Sequence, residues 1–202
     1  MNVGPYRLLD VPIVYELAQR LLAPGAERII LREISDILAA VPKGEPLLEA
    51  GCGPRSWLAR VGLAPLGLDI NPDYVAAYRN GRRGGVVASA VEMPFADGSF
   101  VGVWSIGLLH HLDDERVKAI LSEAIRVTRP GGYVAILDAV TPIAGERPLA
   151  NVIRNWDRGE FMRSERSLQT LFPNREKWTF QRFTAAGTGL EMLSCVCKNK
   201  QP

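Results

Sequence analysis

Cysteine and histidine are scarce in this chain: three and two among 202 residues. Cys52 stands in a glycine-rich loop, and Cys195 and Cys197 alternate along a late apolar stretch, where neighbours at i and i+2 are poorly placed to bridge. No metal-ligand array is spelled by these residues, so reduced thiols and no bound metal are expected. No run approaches the roughly 20 apolar residues of a membrane span. The amino terminus, MNVGPYRLLD, lacks the basic-then-apolar plan of a signal peptide, which makes a cytoplasmic setting the expectation. An excess of charge is missing too: 24 basic against 22 acidic residues leave +2, too balanced to mark a nucleic-acid surface. The expected partner is a small molecule rather than DNA, with the chain a monomer or homodimer.

At 47% hydrophobic and 23% charged residues, the chain has the composition of an ordinary globular domain long enough for one core. Apolar positions recur at helical spacing in Val14 to Leu22 and Ile29 to Leu38, broken by Pro24-Gly25, and predict a helical cap over residues 1–42. From residue 43 to 140, strands alternate with helices. Strands are expected near Leu47 to Ala50, Pro65 to Ile70, Val86 to Ala88, Val101 to Ile106 and Tyr133 to Val140. Between them come a stub helix near Ser56 to Arg60, a helix capped by Asn71 and opened by Pro72, and an amphipathic helix from Asp113 to Thr128 closed by Pro130-Gly131-Gly132. Residues 141–172 are irregular and rich in arginine. Lys177 to Thr184 and Leu190 to Lys198, within residues 173–202, read as a final strand pair.

The stretch LLEAGCGPRSWLARVGLAPLGLDIN, Leu47 to Asn71, is a nucleotide-binding βαβ unit. Glycines at a strand end let the backbone turn sharply and approach a ligand, and an acid at the next strand end can hold two ribose hydroxyls. What the loop lacks narrows the ligand. A dinucleotide fingerprint wants a third glycine where Ser56 stands, and no Walker lysine follows, so a phosphate cradle is not indicated.

The spacing Glu49-x-Gly51-x-Gly53 with Asp69 resembles the opening motifs of class I S-adenosylmethionine-dependent methyltransferases. The residues that follow extend the likeness: Met93-Pro94-Phe95, Asp97-Gly98-Ser99-Phe100, Leu109-His110-His111-Leu112 and Arg126-Val127-Thr128-Arg129-Pro130-Gly131-Gly132. Together they resemble the type 11 subgroup that includes the ubiquinone and menaquinone C-methyltransferases, over roughly residues 47 to 140. The resemblance implies a Rossmann-like α/β fold whose seven-stranded, mostly parallel sheet ends in an antiparallel strand, with helices on both faces. It implies S-adenosylmethionine as cofactor and methyl transfer to an oxygen or carbon of a small-molecule acceptor. The alternatives are a non-methylating cofactor-binding relative acting as regulator or partner subunit, and an RNA methyltransferase.

The same resemblance distributes roles. Glu49 would take the methionine ammonium, or else be a surface carboxylate. Asp69 would take the ribose diol, or else cap the following helix. Gly51, Cys52 and Gly53 form the loop, Ile70 lies on one side of adenine and Met93 or the end of the strand Val101 to Ile106 on the other, or else these are core, and Ser89, Ala90 and Val91 face its edge. Ser105 stands at the end of the expected strand Val101 to Ile106, where the amino-directed DNA enzymes carry Asn/Asp-Pro-Pro-Tyr. His110 and His111 are the base candidates, or else order their loop. Arg147, Arg154, Arg158, Arg163 and Arg166 belong to the insertion that would cover the substrate, where Arg158 or Arg163 would meet an acidic acceptor. Three positions depart from the pattern: Arg55 replaces the third glycine, Ser89 an adenine-reading Asp, and Val101 an Asp after Ser-Phe. Arg55 either pairs with the methionine carboxylate or turns outward; Val101 extends the buried strand.

Overall fold

A computed structural model describes residues 25–79, 84–142, 161–185 and 190–199. Helix α1, Ala26–Ala40, forms because Ala26, Ile30, Ile34 and Ile37 recur on one face, and that face is buried. Strands follow at β1 Leu47–Ala50, β2 Leu66–Asp69, β3 Gly85–Val87, β4 Phe100–Ile106, β5 Thr128–Ala139, β6 Trp178–Thr184 and β7 Glu191–Lys198. They make one seven-stranded sheet in the order β3-β2-β1-β4-β5-β7-β6. All neighbours from β3 to β5 are parallel, and β7 runs antiparallel to both β5 and β6. Three further helices are α2 Pro72–Arg79, α3 Asp114–Val127 and α4 Glu165–Gln169.

Both faces of the sheet are covered. On one, α3 lays Val117, Ile120, Leu121, Ala124 and Val127 against Leu48, Leu68, Val103 and Ile136. On the other, α1 packs with Leu47, Leu58, Val101, Trp104, Tyr133 and Leu137. Double coverage explains why β1 and β4 are buried without alternation, and why Val101 stands where the pattern has an acid. Because β1 is flanked by β2 on one side and β4 on the other, the crossovers leave it in opposite directions. The carboxyl ends of the strands at that divide form the crevice where open α/β sheets take ligands.

Local chemistry sets the helix starts. The Asn71 side-chain oxygen accepts from Asp73 N–H at 2.9 Å and opens α2 as expected. Asp113 does the same for α3, accepting from Arg116 N–H at 2.9 Å. Two expectations change. The stub helix near Ser56 to Arg60 is a 3₁₀ turn, Leu58–Val61, because the chain between β1 and β2 is too short for a full helix. Pro130-Gly131-Gly132 does not close α3. The chain turns extended at Thr128, directly after the helix, and β5 already pairs there with Phe100. The glycines serve the strand: pairing shifts between Phe100 and Gly102, and a Cβ at Gly132 would lie 2.5 Å from the Val101 carbonyl oxygen.

The Met-Pro-Phe, Asp-x-Ser-Phe and Arg-Val motifs meet at one side chain. Arg126 of α3 donates to the Met93 carbonyl at 3.0 Å, the Phe95 carbonyl at 2.8 Å and Asp97 at 2.7 Å, while Glu123 beside it accepts from Met93 N–H at 2.7 Å. These contacts brace the crossing from β3 to β4, so the motifs act on loop shape. The expected helix at Val14 to Leu22 and residues 143–160 of the arginine-rich segment lie outside the described residues. That segment does contain a short helix, α4, started by Ser164, whose hydroxyl accepts from Ser167 N–H at 3.1 Å. Among the described residues, no helix is long and apolar enough to cross a membrane.

Candidate active site

At the divide in the sheet, Gly51 N–H and Cys52 N–H both donate to the Leu68 carbonyl, at 2.7 and 3.0 Å, which folds the glycine loop over the end of β2. The two glycines do different work. A Cβ on Gly51 would lie 2.7 Å from Leu108, so this position is small for packing. Gly53 has φ +58° with open space beside it, and its N–H donates to Asp69 Oδ2 at 3.0 Å. Asn71 N–H holds the other oxygen, Oδ1, at 2.9 Å. Asp69 is therefore fixed by one donor on each oxygen, with lone pairs left for a vicinal diol. Ile70 beside it is 73% exposed, and Val87, paired with Asp69 across the β2–β3 ladder, is 51% exposed. A fixed carboxylate next to two exposed aliphatic side chains suits a ribose joined to a flat base.

Ser105, at the end of β4, is buried, and its hydroxyl has no hydrogen-bond partner among the described residues. Buried hydroxyls are normally satisfied, so this orphan fits a polar ligand atom. With the open side of Gly53 and the free lone pairs of Asp69, it is the observation on which the residues present fit S-adenosylmethionine.

Glu49 sits otherwise. It is almost wholly buried, which excludes a surface role, and three donors close on it: Ser56 Oγ at 2.6 Å, Trp57 N–H at 2.8 Å and Tyr78 OH at 3.2 Å. Burial pushes its carboxyl up to about 7, with the Ser56, Trp57 and Tyr78 bonds pulling back. Cys52 is buried as well, and burial followed by the nearby Asp69 charge pushes its thiol up. Both side chains point into the fold, where they shape the loop. On the adenine side, Met93 is core, and Val91 N–H already donates to Ser89 Oγ at 3.4 Å. Ala90 is left as the backbone donor of that pair. Arg55 is exposed.

The second half of the site is built after β4. Gly107, at φ +71°, turns the chain into a 3₁₀ turn, Leu109–His111, and its N–H donates to the Leu137 carbonyl at 2.8 Å. Asp138 of β5 lies underneath, 1% exposed. Its Oδ2 accepts from Leu109 N–H at 2.6 Å; its Oδ1 accepts from Ala139 N–H at 2.8 Å and meets His110 Nδ1 at 2.6 Å. An acceptor at Nδ1 places the neutral ring's proton on that nitrogen and leaves Nε2 basic. The rings of His110 and His111 lie 4.0 Å apart, centre to centre. His110, the imidazole that Asp138 holds, is buried, and His111 is half-buried.

Residues 48–136 match the family model described as a methyltransferase domain. A methyltransferase domain thus occupies these residues. It is 37% identical over 139 residues to a demethylmenaquinone methyltransferase of Beutenbergia cavernae, covering 66% of this chain and 56% of that protein. It is 32% identical over 129 residues to a tRNA (carboxymethyluridine(34)-5-O)-methyltransferase of Arabidopsis thaliana, covering 61% of this chain but 30% of that protein. The fold is shared with a SAM-dependent methyltransferase of Thermotoga maritima, a possible histamine N-methyltransferase, at a TM-score of 0.72 and 14% identity over 96% of this chain and 99% of that one. The chain thus spans 56% of the length of the first curated relative and 30% of the second.

The structure adds Asp138 to the site and gives Arg163 a place other than the expected one. Asp138 is the one acid in the apolar run Tyr133 to Val140, a signal that was there to be weighed. Arg163 was grouped with the substrate-facing arginines. Instead it is buried, and its guanidinium is occupied by the Leu109 and Leu112 carbonyls and the Asp114 carboxylate. Arg147, Arg154 and Arg158 lie outside the described residues.

The inward Glu49 carries a prediction about pH. An acid whose folded pKa rises from 4.5 to about 7 binds its proton more tightly folded than unfolded, so its penalty on stability grows as pH rises through that window and is complete above it. That penalty is on the order of 3 kcal/mol. Glu49→Gln, whose amide still serves the Ser56 and Tyr78 hydroxyls, is expected to gain stability over wild type between pH 5 and pH 8, read as urea midpoints at both. A gap that does not change with pH would mean Glu49 is ionised throughout.

Proposed function

We propose that this protein transfers a methyl group from S-adenosylmethionine to an oxygen or acidic carbon of a small-molecule acceptor. Asp69 takes the ribose hydroxyls, Ile70 lies against the adenine, the open side of Gly53 lets the backbone approach the methionine half, and Ser105 supplies a hydrogen bond. Glu49 works through Ser56, Trp57 and Tyr78 by shaping the loop. When bound, the cofactor supplies an electrophilic methyl on a sulfonium; the chain's own part is alignment, exclusion of water and removal of a proton.

The observation that carries this reading is the placement of two fixed polar groups at the carboxyl ends of β2 and β4, the strands on either side of β1. Asp69 is held by Gly53 and Asn71, and His110 is held by Asp138. His110 Nε2 takes the acceptor's O–H or C–H proton as the methyl bond forms, and Asp138 stabilises the resulting imidazolium; the proton then leaves to solvent. Such a base contributes roughly 10²–10⁴ in rate. The finer assignment of acceptor follows from chemistry alone: a phenol, enol or quinol has a proton within reach of an imidazole.

The test is titration calorimetry with S-adenosylhomocysteine, followed by incubation with S-adenosylmethionine and a panel of phenols, hydroxyquinols and unmodified tRNA. S-adenosylhomocysteine and the methylated acceptor are read by mass. Binding together with methylation of a small acceptor is the expected result. A folded protein that does not bind the product sinks the proposal, and methylation confined to tRNA replaces its acceptor.

A further inference from the structure

The turn bearing His110 is gripped from two sides. Asp138 holds its amino end from below. From above, Arg163 and its neighbours take the turn's carbonyls: Nη1 donates to Leu109 O at 3.1 Å, Nη2 to Leu112 O at 2.6 Å, and Phe161 N–H donates to His110 O at 3.1 Å. Arg163 also ties its own segment, donating to the Phe161 carbonyl at 3.0 Å, and its Nε pairs with Asp114 at 2.8 Å at the start of α3. The segment is anchored in turn to the sheet. Thr141 N–H donates to Arg163 O at 2.9 Å, and Arg182 of β6 joins the Thr141 carbonyl at 2.8 Å to Glu165 at 3.2 Å. A planar guanidinium with its donors in a fixed fork suits this geometry, where a lysine would offer one mobile charge.

We propose that Arg163 is a positioning residue for His110: it locks the segment following β5 onto the Leu109–Leu112 turn, so that the imidazole is aimed only while residues 161–163 are docked. The inference rests on His110 as the proton acceptor of the proposed reaction. Its logic is mechanical. The 3₁₀ turn is short: Leu109 O accepts from Leu112 N–H at 3.1 Å, while the carbonyls of His110 and Leu112 are taken from outside the turn, by Phe161 N–H and Arg163. Asp138 holds the Leu109 N–H and the His110 ring from one side, and Arg163 with Phe161 N–H holds the carbonyls of the turn from the other. Docking of the acceptor-side segment, which exposes Phe161 beside the turn, therefore decides whether Nε2 points at the acceptor.

Two histidines in the chain make the test direct. With imidazole nitrogens labelled, and His111→Gln used to assign the signals, nitrogen NMR at pH 8 reads the His110 tautomer. Wild type is expected to show one protonated and one bare nitrogen. Arg163→Met is expected to move both toward the averaged position of a freely exchanging ring, and Arg163→Lys likewise, because its charge is kept and its fork is lost. Asp114→Asn removes the ion pair but leaves the carbonyl bonds, and is expected to keep the wild-type pattern. An unchanged pattern in folded Arg163→Met, or its loss in Asp114→Asn, overturns the proposal. The signature requires no methyl transfer, so its failure is distinct from a failure to bind S-adenosylhomocysteine.

Discussion

Asp69→Ala is expected to weaken S-adenosylhomocysteine binding about a hundredfold. Each charge-assisted hydrogen bond from a ribose hydroxyl to this carboxylate is worth at least about 1.5 kcal/mol, and two together come to about 3 kcal/mol, or two decades in Kd. The substitution also releases Gly53 N–H and Asn71 N–H, so the glycine loop loses the bond that sets its height above β2. Both effects act in the same direction. Calorimetric titration of wild type, Asp69→Ala and Arg55→Gly separates them from a change at the methionine end. Arg55 is exposed, and its removal is expected to shift affinity by only a few-fold. A loss in Arg55→Gly as large as in Asp69→Ala would instead make its guanidinium a ligand for the methionine carboxylate. An Asp69→Ala protein that still binds at wild-type strength would remove the ribose from this strand end.

Asp138 carries the largest expected effect on the fold as well as on the reaction. Asp138→Ala leaves Leu109 N–H, Ala139 N–H and His110 Nδ1–H buried without their acceptor, and is expected to cost about 3–5 kcal/mol of stability. Asp138→Asn is the more informative change. Three donors converge on the carboxylate, and an amide can accept on only one side. If its oxygen serves His110 and Ala139, its NH₂ opposes Leu109 N–H. In the opposite orientation, the NH₂ faces Nδ1 and moves the ring's proton to Nε2, the wrong nitrogen for a base. The expected result is a stability loss of about 1–3 kcal/mol with methyl transfer down at least a hundredfold, while S-adenosylhomocysteine still binds. Urea unfolding, product binding and turnover on the acceptor found by the screen give the three numbers. Turnover that falls only in step with the folded fraction would leave Asp138 a purely structural residue.

The order of strands and helices, the glycine loop with Asp69 and the pair of histidines could all be read along the chain, because each is local. Hydrophobic runs bounded by turn residues mark strands, Asn71-Pro72 and Asp113 mark helix starts, and a glycine followed eighteen positions later by Asp69 spans one βαβ turn. What could not be read depends on partners far apart in sequence. Glu49 resembles a ligand in the motif, but Ser56 and Tyr78 arrive from either side of β2 and turn it into a buried acid. Pro130-Gly131-Gly132 resembles a helix stop, but the approach of Val101 from the neighbouring strand makes the last glycine a requirement of the sheet. Asp138 and Arg163 stand 28 and 53 residues from His110, and only the parallel pairing of β4 with β5 and the return of the chain over β5 bring them onto one turn. The sequence by itself determined the fold class and the place of the acid that ends β2, since both follow from spacing along one stretch. Tertiary structure alone decided which histidine is aimed and which charges are buried, because those depend on which distant side chains close over them.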